Sequence, residues 1–231
     1  MGAMELTYFG HSAFQITVGT TTLLFDPFIT GNSHAEGIVT PDDLKPDVIL
    51  LTHAHGDHWG DTPHIARKSG ALVVANFEIT QYLTGKHGHE RVHPMNTGGA
   101  WNFEWGRVKQ TYARHSSSFP DGTYGGNPNG YLLYLEGKTL YNAGDTDRFA
   151  EMAYYGSEEE IDVAFLPIGD CFTMGIDESV KAARLLKPKL VVPIHYNTFP
   201  PIEVDVAEWE QKMHDAGFST RVLKPGETIT L

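Results

Sequence analysis

Three histidines and an aspartate lie within six residues of the chain, at positions 53–58 (HAHGDH). They are His53, His55, Asp57 and His58. Imidazole nitrogens and carboxylate oxygens are the ligands of zinc and of related first-row ions such as manganese and iron. Four such side chains so close together cannot all reach one tetrahedral ion, so the spacing predicts two neighbouring metals. A turn of the chain does not require three histidines, and we therefore favour a metal site over a solvated turn.

Single residues that could complete such a site occur at three later points. His115, Asp145 and His195 each follow a segment whose apolar pattern predicts a strand. Loops beyond strand ends often carry the chemistry of layered folds, because the sheet fixes the base of each loop. A lone histidine there would be interpreted as a solvated turn residue, but four strand ends with metal-ligand residue types favour a common site.

Short strands and later helices must position these residues. The apolar run 48–51 predicts a strand buried on both faces directly before His53. Further strands are predicted over 5–9, 13–18, 22–25, 72–75, 108–113, 130–136, 138–142, 161–166 and 190–194. Helices are predicted over 63–69 with Thr62 as N-cap and over 177–187. A third helix is predicted from Asp205, which caps it with Glu208 three positions on as in a capping box, to a stop at Gly217. This order predicts an α/β (α+β) fold in which two sheets pack together with helices outside.

The order His-x-His-x-Asp-His, then a distant His, an Asp and a His, resembles the metallo-β-lactamase superfamily. Three segments are similar to a narrower group, bacterial and archaeal metal-dependent hydrolases akin to ascorbate-6-phosphate lactonases, whose substrates are largely unassigned: FGHSAF at 9–14, HSS at 115–117 and PIHYNT at 193–198. The resemblance covers nearly the whole chain from Met4 onward. It implies one domain over 4–231, a four-layer αββα sandwich of two mixed sheets with outer helices. Residues 1–3 are typical of a cloning remnant.

The resemblance also implies which residues bind each metal. It assigns three residues to each metal and one bridging carboxylate: His53, His55 and His115 to the first metal, Asp57, His58 and His195 to the second, and Asp145 to both. The cofactors would be two divalent ions, with zinc favoured and manganese, nickel or iron as alternatives. They would activate a bridging hydroxide and polarise a carbonyl or phosphoryl oxygen of the substrate.

Four other polar residues have a structural and a functional interpretation. Asp26 could start a turn before Pro27, or accept the free N–H of a ligand histidine and fix its tautomer. His11 could be a packed strand-end residue, but the resemblance favours the pocket, and we predict it to be catalytic together with Asp57 and Asn197. Asn197 could donate a hydrogen bond to a developing oxyanion. Asp170 could support a ligand or cap a helix.

Three further features favour structural interpretations. Cys171 follows a predicted strand end, where a buried, inert thiol is the commoner outcome. The glycine-rich run 122–130 lacks the Gly-Lys-Ser/Thr ending of a phosphate loop, and it predicts a hairpin connection near the site. His87, His89 and His93 are spaced irregularly in a glycine-containing segment, which favours a solvated loop.

The charge balance favours a small-molecule substrate over nucleic acid. The chain has 17 lysines and arginines against 29 aspartates and glutamates, a net charge of −12, whereas nucleic-acid binders usually present a basic face. We find neither an apolar run long enough for a membrane span nor a secretory signal. A single cysteine fits a reducing cytoplasm. An assembly of identical chains is suggested only by the resemblance.

The leading hypothesis is a binuclear metal-dependent hydrolase of a small ester, lactone or phosphodiester. One alternative, an RNA or nucleotide phosphodiesterase, is disfavoured by the acidic balance. Another is a di-iron oxidoreductase of the same fold, whose members usually place a carboxylate where this chain has His55. Hard oxygen ligands suit iron better than a second imidazole, so His55 favours hydrolysis. A non-catalytic metal-binding protein is disfavoured by a complete set of seven ligands.

Overall fold

The computed structural model describes residues 4–231, and residues 1–3, predicted to be a cloning remnant, lie outside them. The described chain forms fourteen strands and six α-helices. The strands are β1 (Met4–Gly10), β2 (Ala13–Val18), β3 (Thr21–Phe25), β4 (Val48–Leu50), β5 (Leu72–Asn76), β6 (Val92–Met95), β7 (Ala100–Phe103), β8 (Gly106–Tyr112), β9 (Asn129–Leu135), β10 (Lys138–Asn142), β11 (Val163–Pro167), β12 (Leu190–Ile194), β13 (Ser219–Thr220) and β14 (Thr228–Thr230). The helices are α1 (Gly56–Trp59), α2 (Thr62–Ser69), α3 (Phe77–His87), α4 (Met152–Glu158), α5 (Ile176–Leu186) and α6 (Val206–Asp215).

The strands form two seven-stranded sheets with the same arrangement of directions. The first has the order β14-β1-β2-β3-β4-β5-β6, and the second has the order β13-β12-β11-β10-β9-β8-β7. In the first sheet the pairs from β14 to β3 are antiparallel and those from β3 to β6 are parallel. In the second sheet the pairs from β13 to β10 are parallel and those from β10 to β7 are antiparallel. The predicted pair of mixed sheets is confirmed.

Alternation along the strands divides the apolar side chains between two faces of each sheet. Leu23 and Phe25 of β3 face the opposite sheet, whereas Leu24 faces outward. Phe14 stacks between Phe25 of its own sheet, with ring centroids 4.5 Å apart, and Phe165 of the other sheet, at 4.4 Å. This stack joins the two sheets at the centre of the core.

Helices cover the two outer faces and complete a four-layer αββα sandwich. Helices α2 and α3 pack on the first sheet, and α4, α5 and α6 pack on the second. Trp209 of α6 is fully buried and donates its indole N–H to Ser179 of α5 at 3.2 Å. Among the described residues, none of the helices combines the length and the apolar character needed to span a membrane.

Strand direction explains why the candidate residues meet at one edge. β1 and β3 are both antiparallel to β2, and β4 is parallel to β3, so these three strands end at the same edge. β8 and β10 are both antiparallel to β9, and β12 runs parallel to β10 through β11, so they also end together. The loops after these six strands carry His11, Asp26, residues 53–58, His115, Asp145 and His195.

All ten predicted strands are confirmed to within two residues at each end, and the three predicted helices are present. Asp205 caps α6 as predicted, accepting hydrogen bonds from the N–H groups of Ala207 and Glu208. The predicted cap of α2 is wrong, because Thr62 is the first helical residue and Asp61 precedes it. The Asp61 carboxylate accepts from the N–H groups of Ile29 and Thr30 instead, which ties the helix start to the loop after β3.

Helices α1, α3 and α4 and strands β6, β7, β13 and β14 were not predicted. α3 has two threonines, an isoleucine and a glycine, all poor helix formers, and its N-cap Asn76 precedes an exposed Phe77. The predicted solvated loop is right for His89, which lies in the coil between α3 and β6, and wrong for His87 and His93. His87 ends α3, His93 lies in β6, and none of the three joins a group of candidate metal ligands among the described residues.

Candidate metal centre

Three imidazoles form the first part of the candidate centre. His53 and His55 follow β4, and His115 follows β8. His55 Nδ1 lies 3.0 Å from His53 Nε2 and 3.3 Å from His115 Nε2. Ligands at about 2.0–2.1 Å from one tetrahedral ion are separated by about 3.3 Å. The three nitrogens therefore have the spacing of atoms that share a cation.

Asp57, His58 and His195 form the second part. Asp57 and His58 lie on the single turn α1, and His195 follows β12. His195 Nε2 lies 3.6 Å from Asp57 Oδ2. One ligand atom of each residue, together with one of His11, lies within 4.8 Å of the others. The second part thus gathers two imidazoles and a carboxylate from both sheets, with an additional imidazole beside them.

Asp145 lies between the two parts and is 2% exposed. Its Oδ1 is 3.2 Å from His58 Nε2, and its Oδ2 is 3.0 Å from His195 Nε2. The same Oδ2 is 3.6 Å from His115 Nε2 and 3.8 Å from His53 Nε2. One carboxylate therefore faces histidines of both parts.

The unsatisfied atoms of the centre fit divalent cations. His58 Nε2 and Asp145 Oδ1 are buried and lie 3.2 Å apart without hydrogen-bond geometry, and neither has a hydrogen-bond partner elsewhere among the described residues. Buried polar atoms are otherwise nearly always hydrogen-bonded. A neutral imidazole carries one hydrogen, so the close nitrogens of the first part leave lone pairs facing one another. Nitrogen-rich donor sets with added carboxylates suit zinc and related first-row ions.

Burial keeps the first part uncharged. It is the largest cause that lowers the pKa of His53, His55 and His115 below the ordinary value. His53 is fully buried, whereas His55 and His115 are partly exposed. These three imidazoles are therefore neutral at neutral pH and offer lone pairs to a cation.

In the second part, by contrast, the pKa values of the two histidines are raised. Burial opposes the charged form of His195, but Asp145 and Asp57 outweigh it and raise the pKa of His195 to about 9. Burial likewise opposes charge on His58, but Asp145 and Asp26 raise its pKa well above the ordinary range. In return, His195 and His58 lower the pKa of Asp145 despite its burial. A cation at this position would replace protons on the two histidines.

Asp26 and Thr52 contact the Nδ1 atoms of two candidate ligand histidines, His58 and His53. Asp26 Oδ2 lies 3.0 Å from His58 Nδ1 and accepts the Thr52 hydroxyl at 2.7 Å, and its Oδ1 accepts the Thr52 N–H at 2.8 Å. Thr52 Oγ1 lies 3.0 Å from His53 Nδ1. Because the hydroxyl gives its hydrogen to Asp26, it can accept one from His53. Both histidines then keep the hydrogen on Nδ1 and present Nε2 to the centre.

Sequence reasoning gave Asp26 two interpretations, and these contacts favour support of a ligand histidine. The contact of Thr52 with His53 was not predicted from the sequence. The position of this threonine, directly between an apolar strand and His53, could have indicated it.

His11 lies in the turn between β1 and β2 and is fully buried. Its Nε2 is 3.2 Å from Asp57 Oδ2, and its Nδ1 is 2.6 Å from Thr198 Oγ1. Burial, followed by the proximity of His195, lowers the pKa of His11 to about 3. Of the two interpretations from the sequence, the structure favours the pocket, because His11 lies beside the candidate metal ligands.

The contacts of Asn197 give it a structural role and do not support the oxyanion role predicted from the sequence. Its Oδ1 accepts from the N–H of Val204 at 2.7 Å, and its Nδ2 donates to the Val204 carbonyl at 3.3 Å. Both ends of the amide are therefore used to hold the loop after β12. Thr198, the next residue, is the one whose side chain contacts His11.

Asp170 and Cys171 lie in an exposed turn after β11. Asp170 lines a surface groove with Asp177 and Lys212, and no hydrogen bond of the described residues joins its side chain to a candidate ligand. The structure thus gives Asp170 no contact through which it could support a ligand. The thiol of Cys171 is exposed, so the expectation of a buried cysteine is wrong.

The backbone is left-handed at several residues of the centre. His11, Asp26 and His195 have φ angles of +57°, +39° and +54°. Such conformations are costly for residues other than glycine and collect at functional sites, where the surrounding structure enforces them. Gly144 (φ +62°) precedes Asp145, and a Cβ there would lie 2.8 Å from the Asn129 carbonyl oxygen, so only glycine fits.

The loop 115–128 holds His115 against the loop of His55. Ser117 accepts the N–H of Ala54 and donates to the Gly125 carbonyl at 3.0 Å. Asn76 donates to the carbonyl oxygens of Gly125 and Asn127. The glycine-rich run 122–130 is thus a fixed connection into β9 next to the centre, which agrees with the predicted hairpin connection.

The fold consists of two mixed sheets covered by outer helices, with histidines and aspartates together at one edge. This arrangement defines a metallo-β-lactamase-type metal-binding protein. The pattern of the beta-lactamase superfamily domain matches residues 5–195. UPF0173 metal-dependent hydrolases from Salinibacter ruber and Thermus thermophilus are each 50% identical over 228 residues. These alignments cover 99% of this chain and 100% and 99% of the respective relatives. The chain therefore belongs to the metallo-β-lactamase superfamily and, within it, to the family of UPF0173 metal-dependent hydrolases.

A solved structure supports the same placement. Igni18, a metallo hydrolase from the hyperthermophilic archaeon Ignicoccus hospitalis, is 40% identical, with a TM-score of 0.89. The alignment covers 100% of this chain and 99% of Igni18. The resemblance to the metal-dependent hydrolases of the superfamily, predicted from the motifs, is thereby confirmed.

Proposed function

We propose that this protein is a binuclear hydrolase that cleaves a small ester, lactone or phosphodiester, with zinc as the favoured metal. The observation that carries the proposal is the position of Asp145, whose carboxylate lies 3.0 Å from His195 and 3.6 Å from His115. A single carboxylate that faces two groups of imidazoles is what a pair of adjacent cations requires.

In this proposal each metal has three ligands of its own and shares Asp145. His53, His55 and His115 hold the first ion, and Asp57, His58 and His195 hold the second. When bound, the ions supply an activated water at neutral pH and polarise the substrate oxygen. Asp26 and Thr52 keep hydrogens on the Nδ1 atoms of His58 and His53, so that the Nε2 lone pairs stay available.

The exposure of the ligands indicates the side from which substrate reaches the centre. His53, His58, Asp145 and His195 are buried, whereas His55, Asp57 and His115 are partly exposed. Ser116 is exposed beside them, with its hydroxyl 3.4 Å from His55 Nε2. The substrate is therefore expected to bind over His55, Asp57 and His115, where the Ser116 hydroxyl can contact it.

Two alternatives are weaker. A di-iron oxidoreductase would be favoured by a carboxylate at position 55, where this chain has an imidazole within 3.0 Å of His53. A nucleic-acid substrate is disfavoured by the net charge of −12.

The single cysteine, Cys171, is exposed and free, which supports a reducing, cytoplasmic location.

The first test is the metal content of protein purified without added metal or chelator, measured by elemental mass spectrometry. We expect about two zinc or manganese ions per chain, and about one in His58→Ala. His64→Ala is the matched control, because this histidine lies on the surface beside Asp42 and should leave the content unchanged. One ion per wild-type chain would contradict the binuclear proposal.

The second test is turnover of the wild-type protein on lactones, phosphodiesters and simple esters. Activity on one of these classes, lost in His58→Ala and kept in His64→Ala, would support hydrolysis at this centre. Predominantly iron, with a redox-active visible spectrum and no hydrolysis, would instead favour the oxidoreductase.

A further inference from the structure

His11 and Thr198 lie outside the seven ligands, yet they join the centre through one buried chain of polar atoms. Thr198 Oγ1 is 2.6 Å from His11 Nδ1, and His11 Nε2 is 3.2 Å from Asp57 Oδ2. We infer that both are positioning residues: the Thr198 hydroxyl donates to His11 Nδ1, and His11 Nε2–H donates to Asp57 and holds this carboxylate toward the second metal. The inference rests on the proposed function, because it requires that Asp57 binds the second ion.

The direction of the hydrogen bonds follows from the number of hydrogens available. A neutral imidazole donates from one nitrogen and accepts at the other. If Thr198 donates to Nδ1, the hydrogen of His11 lies on Nε2 and points at Asp57, and all three groups are satisfied. In the opposite arrangement the Thr198 hydroxyl hydrogen has no acceptor among the described residues, and the bare Nε2 faces a carboxylate oxygen. Buried polar groups strongly favour the satisfied arrangement.

The main chain holds His11 in place for this contact. Its carbonyl oxygen accepts the Tyr8 hydroxyl at 3.1 Å and the N–H of His195 at 2.9 Å. The turn between β1 and β2 is thus fastened directly to a ligand residue of the opposite sheet. These bonds help to maintain the left-handed conformation of His11 (φ +57°), which is unfavourable for a residue other than glycine.

Aromatic rings keep water away from the imidazole. The rings of Phe28 and Phe199 lie 5.5 Å and 5.3 Å from the His11 ring, centroid to centroid, both close to edge-on. A hydrogen bond in such a dry environment is stronger than one in water. Asp57 depends on this hydrogen bond for its orientation. Its side chain is 29% exposed, and the bond from His11 is the one hydrogen bond it accepts within the described residues.

Zinc titration of metal-stripped, full-length protein tests the inference. The dissociation constants of both zinc ions are measured by competition with a chelator. We expect His11→Phe and Thr198→Val to weaken the second zinc about 10–100-fold, as is typical when the partner of a metal ligand is lost, while the first zinc keeps its affinity. His11→Gln and Thr198→Ser retain a donor and should recover most of the loss. His64→Gln, a surface change, should alter neither constant.

Nitrogen NMR of wild-type protein with labelled histidines gives a second, variant-free readout. We expect His11 to keep its hydrogen on Nε2 after zinc is added. Loss of that hydrogen on zinc binding would overturn the inference, because His11 would then be a ligand itself. Unchanged affinity for the second zinc in the folded Thr198→Val variant would also overturn it. If wild-type protein binds a single zinc, the proposed function fails first, so the two failures are distinguishable.

Discussion

The carboxylate of Asp26 lies 3.0 Å from His58 Nδ1 at a fully buried position. The same oxygen accepts the hydroxyl of Thr52, which in turn lies 3.0 Å from Nδ1 of His53. One carboxylate and one hydroxyl therefore orient a histidine in each part of the metal centre.

Asp26→Asn should weaken metal binding more than its small change in shape suggests. The amide keeps the volume but loses the charge that stabilises the Nδ1–H form of His58. Zinc affinity at the second site is expected to fall about 10–100-fold, and stability of the metal-free protein by about 1–3 kcal/mol. Chelator competition and urea denaturation measure the two effects.

Asp47→Asn is the matched control for this change. Asp47 also accepts a backbone N–H, that of Thr22 at 2.8 Å, but it is exposed and lies before β4, at the opposite end of this strand from His53. We expect zinc affinity in this variant to equal that of wild-type protein. An equal loss in both variants would show that the effect of Asp26 is not local to the centre.

Much of the fold and the clustering of the candidate ligands could be predicted from the sequence because strong local patterns encode them. Buried strands such as β4 and β12 are continuous apolar runs, and the ligand types cluster directly after them. The relative position of the strand ends depends on the strand order and on which pairs are antiparallel, and the sequence patterns did not predict these. Helix α3 escaped prediction because it has few buried residues and several poor helix formers.

Contacts between distant segments could not be predicted in the same way. Thr198 contacts His11 although the two residues are 187 positions apart in the chain. The left-handed turn at His11 cannot be recognised from the composition of the sequence. The same limit applies to Asn197. An amide next to a ligand suggests an oxyanion donor, but only the fold shows that Val204 occupies both of its polar ends.

The stack of Phe14 between the two sheets predicts a large stability cost for its removal. Phe14→Ala leaves a cavity between Phe25 and Phe165, and we expect the free energy of unfolding to fall by about 3–5 kcal/mol. Phe77→Ala is the control, because Phe77 is 53% exposed and its loss should cost about 0.5 kcal/mol or less. Urea denaturation of the metal-free forms measures both, and similar losses would refute a central role for the stack.

Asp145→Asn should lower metal occupancy at both sites, since one carboxylate faces both groups of histidines. Asp57→Asn removes charge at the second group alone and should spare the first ion. Elemental mass spectrometry of the two variants, purified side by side, makes the comparison. Full occupancy of both sites in Asp145→Asn would show that Asp145 does not bridge the metals.

The raised pKa of His195 predicts how the metal-free protein responds to pH. The pKa of this group is about 9 in the folded chain, against an ordinary value of 6.5, because Asp145 and Asp57 stabilise its charged form. A raised folded pKa contributes stability that is complete below pH 6.5 and is lost as the pH rises through about 9. His58 shifts in the same direction. Stability of the metal-free protein should therefore fall between about pH 7.5 and 9, by about 3 kcal/mol or less for His195.

Zinc should remove this pH dependence, because a bound cation replaces the protons of His195 and His58. Histidines whose pKa is lowered, such as His53, are neutral in both folded and unfolded chains above about pH 7.5 and do not change the slope there. Urea denaturation at about pH 7.5, 8.5 and 9.5, with and without zinc, therefore compares the metal-free and the zinc-bound protein in the range where His195 titrates. The same exchange predicts that zinc binding at neutral pH releases protons, which calorimetry in buffers of different ionisation enthalpy detects. A flat profile for the metal-free protein, without proton release, would mean that the carboxylates of the centre do not hold these protons.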